Sequence, residues 1–247
     1  TGEMVSASLV AIALNQLGLK AKSLSAAQFG MKTTSNFSRA KILDLDKNII
    51  FKTIEDGYIP IITGFQGVTN EGDTTTMGRG GSDTTAVAIA ASIQSKRCDI
   101  YTDVDGIYTT DPRIVPDAKK LDSISMEEML ELAGQGAKVM QIRAVEFANK
   151  YKVLVRVLSS FEPGSGTLIL QEEDGMEDAV ITGIASQTDQ TKFTLHGVVD
   201  TPGIASGILS PVSEAGIEVD VIVQNVSVSG KTDFTFTVGT SDRAEVE

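Results

Sequence analysis

The sequence predicts an α/β fold: a mostly parallel sheet with flanking helices, followed by a smaller ferredoxin-like unit. Three observations predict it. Short apolar runs bounded by glycine alternate with helical stretches up to about residue 158, the pattern of strands joined by crossover helices. The acidic, polar stretch Gln171-Glu172-Glu173-Asp174-Gly175-Met176-Glu177-Asp178 then interrupts that pattern. Beyond it the order changes to strand, helix, strand, strand, most of a ferredoxin-like unit without its last helix and strand. A boundary is therefore expected between 1–172 and 173–247.

The elements follow in order. Met4, Val5, Leu9, Ile12, Ala13, Leu14 and Leu17 recur at helical spacing over residues 4–17, and Gly18 is a stop signal. Residues 58–63 read as a buried strand between Gly57 and Gly64, and a loop rich in Gly, Asp and Thr runs to Gly81. Ser82 and Asp83 are N-cap candidates for the Ala-rich helix that runs to about Ser95. A strand is expected at 98–102, an irregular stretch to about Lys120, helices at 125–132 and 137–150, and a strand at 153–158. In the second unit strands are expected at 192–199, 217–226 and 232–238, with a Thr201-Pro202-Gly203 turn leading into a helix over 204–215. Both ends fall in patterned segments and read as cuts through a longer protein.

Bulk composition narrows the function. The 247 residues are 41% hydrophobic and 22% charged, as in ordinary globular proteins. A net charge of -12 argues against general binding to nucleic acid or anionic membrane. Cys98 is the sole cysteine and His196 the sole histidine, so no intrachain disulfide forms and no structural zinc site is expected. A reducing, cytoplasmic setting is expected. No apolar run approaches the length of a membrane span.

Three segments carry chemistry. In Met77-Gly78-Arg79-Gly80-Gly81-Ser82-Asp83, glycines let backbone amides approach an anion, the following helix points its positive end there, and Arg79 adds a charged fork for carboxylate or phosphate. The Gly-Lys-Ser/Thr ending of a Walker A loop is missing, and glycine content alone also fits a tight turn. The stretch Thr102 to Arg113 follows a buried strand, where α/β folds place ligand loops. Its hydroxyls and carboxylates suit a ribose and a metal, Tyr108 a base and Arg113 a phosphate; a surface loop held by Asx turns is the equal alternative. Third, Lys138 in Gly136-Ala137-Lys138, expected at a helix start, can reach a phosphate, although a lone lysine is more often simply solvated.

Taken together, Gly2-Glu3, Gly64-Phe65-Gln66-Gly67, Gly78 to Asp83, Thr102 to Arg113 and Gly136-Ala137-Lys138 resemble the aspartate kinases of the amino-acid kinase fold. Asp200-Thr201-Pro202-Gly203 and Val223-Gln224-Asn225-Val226-Ser227 look like marks of the family's ACT regulatory domain. The resemblance implies transfer of the γ-phosphate of Mg-ATP to the side-chain carboxylate of L-aspartate, the first step toward lysine, threonine and methionine. It implies that Glu3 holds the substrate ammonium and Arg79 its α-carboxylate, with Gly80, Gly81, Ser82 and Asp83 completing the pocket. Ser82, Thr102, Asp103, Tyr108, Thr109, Thr110, Asp111, Pro112, Arg113 and Lys138 would hold the nucleotide; no metal ligand is assigned.

For lysine or threonine as effector, Asp200 would take the ammonium and the amides near Ile204 and Ala205, beyond Gly203, the carboxylate; a plain cap on the turn is the alternative for Asp200. Gln224 could reach the same pocket, and the resemblance adds Glu218, Val219 and Asp220. Pairing through ACT units, as a homo-oligomer or between subunits, is implied. The family's Lys-x-Gly-Gly-Thr/Ser segment, with its catalytic lysine, is expected upstream of Thr1, and the second ACT unit is absent, so this piece alone is expected to be inactive. A non-catalytic amino-acid-sensing subunit is the alternative; it would lack most of the kinase half present here.

Overall fold

The computed structural model describes residues 1–136, 139–171, 182–225 and 230–247. They form two compact units, Thr1–Ala185 and Ser186–Glu247. The boundary expected at 172/173 lies outside the described residues.

The first unit runs α1 (Gly2–Gln16), β1 (Ala21–Leu24), α2 (Ala26–Phe29), β2 (Lys32–Thr33), β3 (Ile42–Asp44), α3 (Lys47–Glu55), β4 (Ile59–Ile62), β5 (Gln66–Val68), β6 (Thr74–Thr76), α4 (Gly81–Ser92), β7 (Cys98–Thr102), β8 (Ser123–Ser125), α5 (Met126–Gly134), α6 (Ile142–Tyr151), β9 (Val155–Ser159) and β10 (Thr167–Leu170). β1 pairs in parallel with β4. A second sheet has the order β3-β2-β5-β6 and a third the order β7-β9-β10-β8. In the third, β7/β9 and β10/β8 are parallel and β9/β10 antiparallel, so the fold is mixed rather than all-parallel.

The main core lies on one face of the third sheet. Ile100, Val155, Val157 and Ile169 pack with Val87 of α4, Met129 of α5, and Ala144, Val145 and Ala148 of α6, all fully or almost fully buried. Small residues on α6 let it approach α4 closely. Helix starts are fixed locally: Ser25 with Gln28, and Ser125 with Glu128, form reciprocal capping boxes at α2 and α5.

Several expectations need correction. Residues 19–57, for which no elements were expected, fold into β1, α2, β2, β3 and α3. The loop expected from Gly64 to Gly81 contains the β5-β6 hairpin. The helix expected from 137 starts at Ile142, because Gly136 at φ +99° ends the preceding turn and the Gln141 side chain accepts from the Ile142 amide. Lys138 itself lies outside the described residues. Neither Ser82 nor Asp83 caps α4: Gly80 is the N-cap, in the left-handed region, and both residues sit in the first turn.

The second unit runs β11 (Gln190–Val199), α7 (Ile204–Glu214), β12 (Val219–Gln224), β13 (Lys231–Gly239), a 3-10 turn (Thr240–Asp242) and α8 (Arg243–Val246). Its antiparallel sheet has the order β11-β13-β12. Alternate residues Phe234, Phe236 and Val238 of β13 are buried with Ile208, Leu209 and Val212 of α7, and Phe193 stacks on Phe236 at 5.5 Å. This is the expected strand-helix-strand-strand order. Among the described residues, no helix is long and apolar enough to cross a membrane.

Candidate active site

The glycine run forms a tight loop between β6 and α4. Gly78 and Gly80 have φ values of +79° and +67°. A Cβ on Gly80 would stand 2.2 Å from the Gln141 Cβ, and one on Gly81 would stand 2.8 Å from the Phe65 ring and 3.0 Å from the Met77 Cβ. The loop is thus pressed between the start of α6 and the turn after β4. Phe65 in that turn is itself left-handed, at φ +69°. Its amide donates to Thr85 Oγ1 at 3.1 Å, and its carbonyl accepts from the Met77 amide at 3.0 Å. The carboxyl end of β4 therefore meets the N-terminus of α4, the place where α/β folds bind ligands. Among the described residues the Ser82 and Asp83 amides meet no backbone acceptor, as helix N-termini allow.

Arg79 is exposed on the loop and Ser82 is exposed one residue past the helix start. Asp83 is half-buried in the first turn. Burial pushes its carboxyl pKa above the ordinary value, against the opposing pull of a hydrogen bond from the Gln141 backbone. Glu3 stands half-buried in the first turn of α1; among the described residues no hydrogen bond joins it to the glycine loop.

The second loop starts where β7 ends. Thr102 Oγ1 donates to Asp103 Oδ1 at 3.1 Å. Tyr108 Oη donates to Asp105 Oδ1 at 2.9 Å, and Lys120 Nζ lies 3.3 Å from Asp105 Oδ2. Burial disfavours the charged form of Asp105, but those two donors outweigh it and hold its pKa below the ordinary value. Thr109 is committed to the scaffold: its amide and hydroxyl bond Lys119, and its carbonyl accepts from Ile184. Arg113 grips Asp111 through two side-chain hydrogen bonds of 3.0 and 2.8 Å, so it must share that carboxylate to reach a phosphate. Thr110 is half-buried and Pro112 exposed.

An open groove of about 290 Å³ lies along this loop, lined by Asp103, Val104, Asp105, Tyr108, Pro112, Ser159, Phe161 and Glu162. The last three lie at and just past the end of β9 and are not singled out by the sequence. β9 runs parallel beside β7, with Thr102 opposite Ser159, so both carboxyl ends open onto the same groove. The rule that singled out Thr102 would have found them.

In the second unit Gln224 Nε2 donates to Asp200 Oδ1 at 3.1 Å, which brings that expected pair together. Gly203 is the left-handed N-cap of α7, and Ile204 and Ala205 open the helix. The Ile204 amide already donates to the Thr201 carbonyl at 3.2 Å. Glu218, Val219 and Asp220 lie at the other end of β12 and are not brought to Asp200. Val226 and Ser227 lie outside the described residues.

The fold and the two loops define an α/β protein with a glycine loop at a helix N-terminus, and the sequence profile of the Amino acid kinase family matches residues 1–159. The chain belongs to that family. Aspartate kinases are among its curated relatives. It is 54% identical over 239 residues to the aspartate kinase of Pseudomonas fluorescens, covering 96% of this chain and 58% of that protein. The chain thus spans less than two thirds of the length of such relatives. Among solved structures it is similar to E. coli aspartokinase III in complex with aspartate and ADP, with a TM-score of 0.81 and 32% identity, covering 95% of this chain and 53% of that one. The same enzyme in complex with lysine and aspartate gives a TM-score of 0.75 over 97% of this chain and 54% of that one, again at 32% identity.

Proposed function

We propose that the protein containing this chain is an aspartate kinase. It would transfer the γ-phosphoryl group of ATP to the side-chain carboxylate of L-aspartate. An oxygen of that carboxylate bonds to the γ-phosphorus, the bond from that phosphorus to the bridging oxygen breaks, and ADP leaves. The observation that carries the reading is the glycine loop packed at the N-terminus of α4 with Arg79 exposed beside it. Such chemistry asks mainly for positioning and for neutralised charge.

Arg79 would clamp the α-carboxylate and Glu3 the ammonium, with Gly80, Gly81, Ser82 and Asp83 shaping the pocket. The groove along Thr102 to Arg113 would take the nucleotide, Tyr108 lying beside the base, and Lys138 would reach its phosphates. Among the described residues no three acidic, histidine or cysteine side chains gather to hold a metal. Magnesium fits as the ion carried by ATP, drawing most of its ligands from phosphate and water. The second unit would be an ACT domain that senses lysine or threonine and pairs with another copy or subunit, and the protein would work in the cytoplasm. The Asp200–Gln224 pair supports an amino-acid pocket there.

The test is aspartate-dependent release of ADP by the protein expressed from its own gene, with formation of an acyl phosphate trapped by hydroxylamine. Arg79→Ala should lower kcat/KM for aspartate by about 2–4 kcal/mol, and lysine should rescue poorly because it lacks the planar fork. Absence of aspartate-dependent turnover in the wild type would refute the reading. An unchanged aspartate KM and kcat in the variant would remove Arg79 from the site.

A further inference from the structure

We propose that Arg143 is a positioning residue for the carboxylate substrate: it ties together the two backbone segments that carry Arg79 and Arg39. This rests on the reading of the glycine loop as the substrate site. Two independent observations support it.

The first is a clamp. Arg143, half-buried on α6, donates from Nη1 to the Met77 carbonyl at 2.8 Å and from Nη2 to the Ala40 carbonyl at 3.2 Å. Met77 immediately precedes Gly78-Arg79, and Ala40 immediately follows Arg39. The two segments are otherwise joined through Thr76, whose amide and hydroxyl donate to the Phe37 carbonyl and whose own carbonyl accepts from the Ala40 amide. They are also in close contact: a Cβ on Gly78 would meet the Ser38 carbonyl at 3.1 Å and the Arg39 Cγ at 3.8 Å.

The second is charge. Arg97, Arg113, Arg156 and Arg243 each pair with a carboxylate. The remaining arginines, Arg39, Arg79 and Arg143, have no ion pair among the described residues. All three belong to this one loop cluster, on a chain whose net charge is -12. Cations left without carboxylates at a glycine loop suit an anionic ligand, and a substrate with two carboxylates is such a ligand. Arg143 spends its hydrogen bonds on carbonyls rather than on an acid. It therefore holds the loops without neutralising the charge that the substrate meets. A planar fork reaches two carbonyls at once, which a lysine ammonium on a flexible stem does poorly.

The test compares wild type, Arg143→Ala and Arg143→Lys in the protein expressed from its own gene. Steady-state kinetics is run alongside amide hydrogen exchange. Arg143→Ala should raise the aspartate KM roughly tenfold or more while the ATP KM moves less than about threefold, and Arg143→Lys should recover only part of the loss. Peptides covering 37–41 and 77–84 should exchange faster in Arg143→Ala, with 153–159 unchanged, which separates loosened loops from general loss of stability. Unchanged exchange in both segments, an equal rise in both KM values, or full recovery by lysine would overturn the proposal. A wild type without aspartate turnover would instead sink the functional reading, and the exchange experiment would still decide whether Arg143 holds the loops.

Discussion

Replacing Gly80 by alanine tests whether the glycine loop is as tightly held as the geometry implies. Gly80 sits at φ +67° and ψ +17°, in the left-handed region. An added Cβ would lie 2.2 Å from the Gln141 Cβ and 2.3 Å from its Cγ. The contact is with the root of the side chain, so a rotamer change does not relieve it. Left-handed backbone costs an L-residue about 1–2 kcal/mol, and forcing a methyl into packed surroundings costs about 1–3 kcal/mol more. Gly57 provides the comparison: its φ is +81°, yet nothing lies within 4 Å of its added Cβ. Gly57→Ala should therefore show the backbone cost alone, and Gly80→Ala roughly twice that loss or more. Urea denaturation with a constant m-value measures both. If the loop yields instead of the helix, Arg79 moves and the aspartate KM rises while the stability loss shrinks. Equal stability loss in the two variants, together with an unchanged aspartate KM for Gly80→Ala, would refute the close packing of the loop on Gln141.

Two further outcomes follow from the geometry. Asp83→Asn keeps an acceptor for the Gln141 amide but removes a carboxylate whose folded pKa is raised by burial. A raised pKa means that the folded state binds the proton better than the unfolded chain does, so stability falls as pH rises from the ordinary value of 3.8 through the folded value; the variant should lose that slope and unfold no more easily at neutral pH, while aspartate turnover drops. A variant that is less stable at neutral pH would contradict the sign. Asp200→Ala should leave uninhibited turnover near normal and weaken inhibition by lysine or threonine at least about tenfold, since an ammonium–carboxylate contact is worth roughly 1.5–3 kcal/mol. Superimposable inhibition curves would place the effector elsewhere.

The legibility of the fold tracks the range of the interactions involved. β4, β7, α4 and the second unit are readable because each is a periodic or bounded run of several residues, although β4, expected to be buried, has Ile59 exposed and the rest half-buried. The elements of residues 19–57 are mostly two to four residues long, too short for a period to emerge. Their identity depends on pairing, such as Thr33 Oγ1 against Thr75 Oγ1 at 2.6 Å, 42 residues apart. The start of α6 was misplaced because an apolar period runs past Gly136 in sequence, whereas its positive φ breaks the chain direction. The site shows the same division. Glycines and Arg79 announce themselves in one segment, but Arg143 looks like any cation on an amphipathic helix until the carbonyls of Met77 and Ala40 fold against it. Phe161 looks like a stray exposed aromatic until β9 is seen to end beside β7.

The second unit carries a geometric constraint on its own proposed ligand set. Asp200 and Gln224 meet near one end of the sheet, whereas Val219 pairs with Val238 at the other. From Val219 to Gln224 the strand covers about 16 Å at about 3.3 Å per residue. An extended lysine, with its ammonium on Asp200, is about half that length. Backbone spacing thus sets Asp200 and the Glu218–Asp220 segment farther apart than one amino acid is long. If both sets bind one effector, a second copy offers the shorter path for one of them. The exposed side chains of Val221, Ile222 and Val223 on the edge strand β12 favour such a pairing. Effector binding and association of two units would then be linked, and an amino acid bound across the pair would stabilise it by the affinity it gains there.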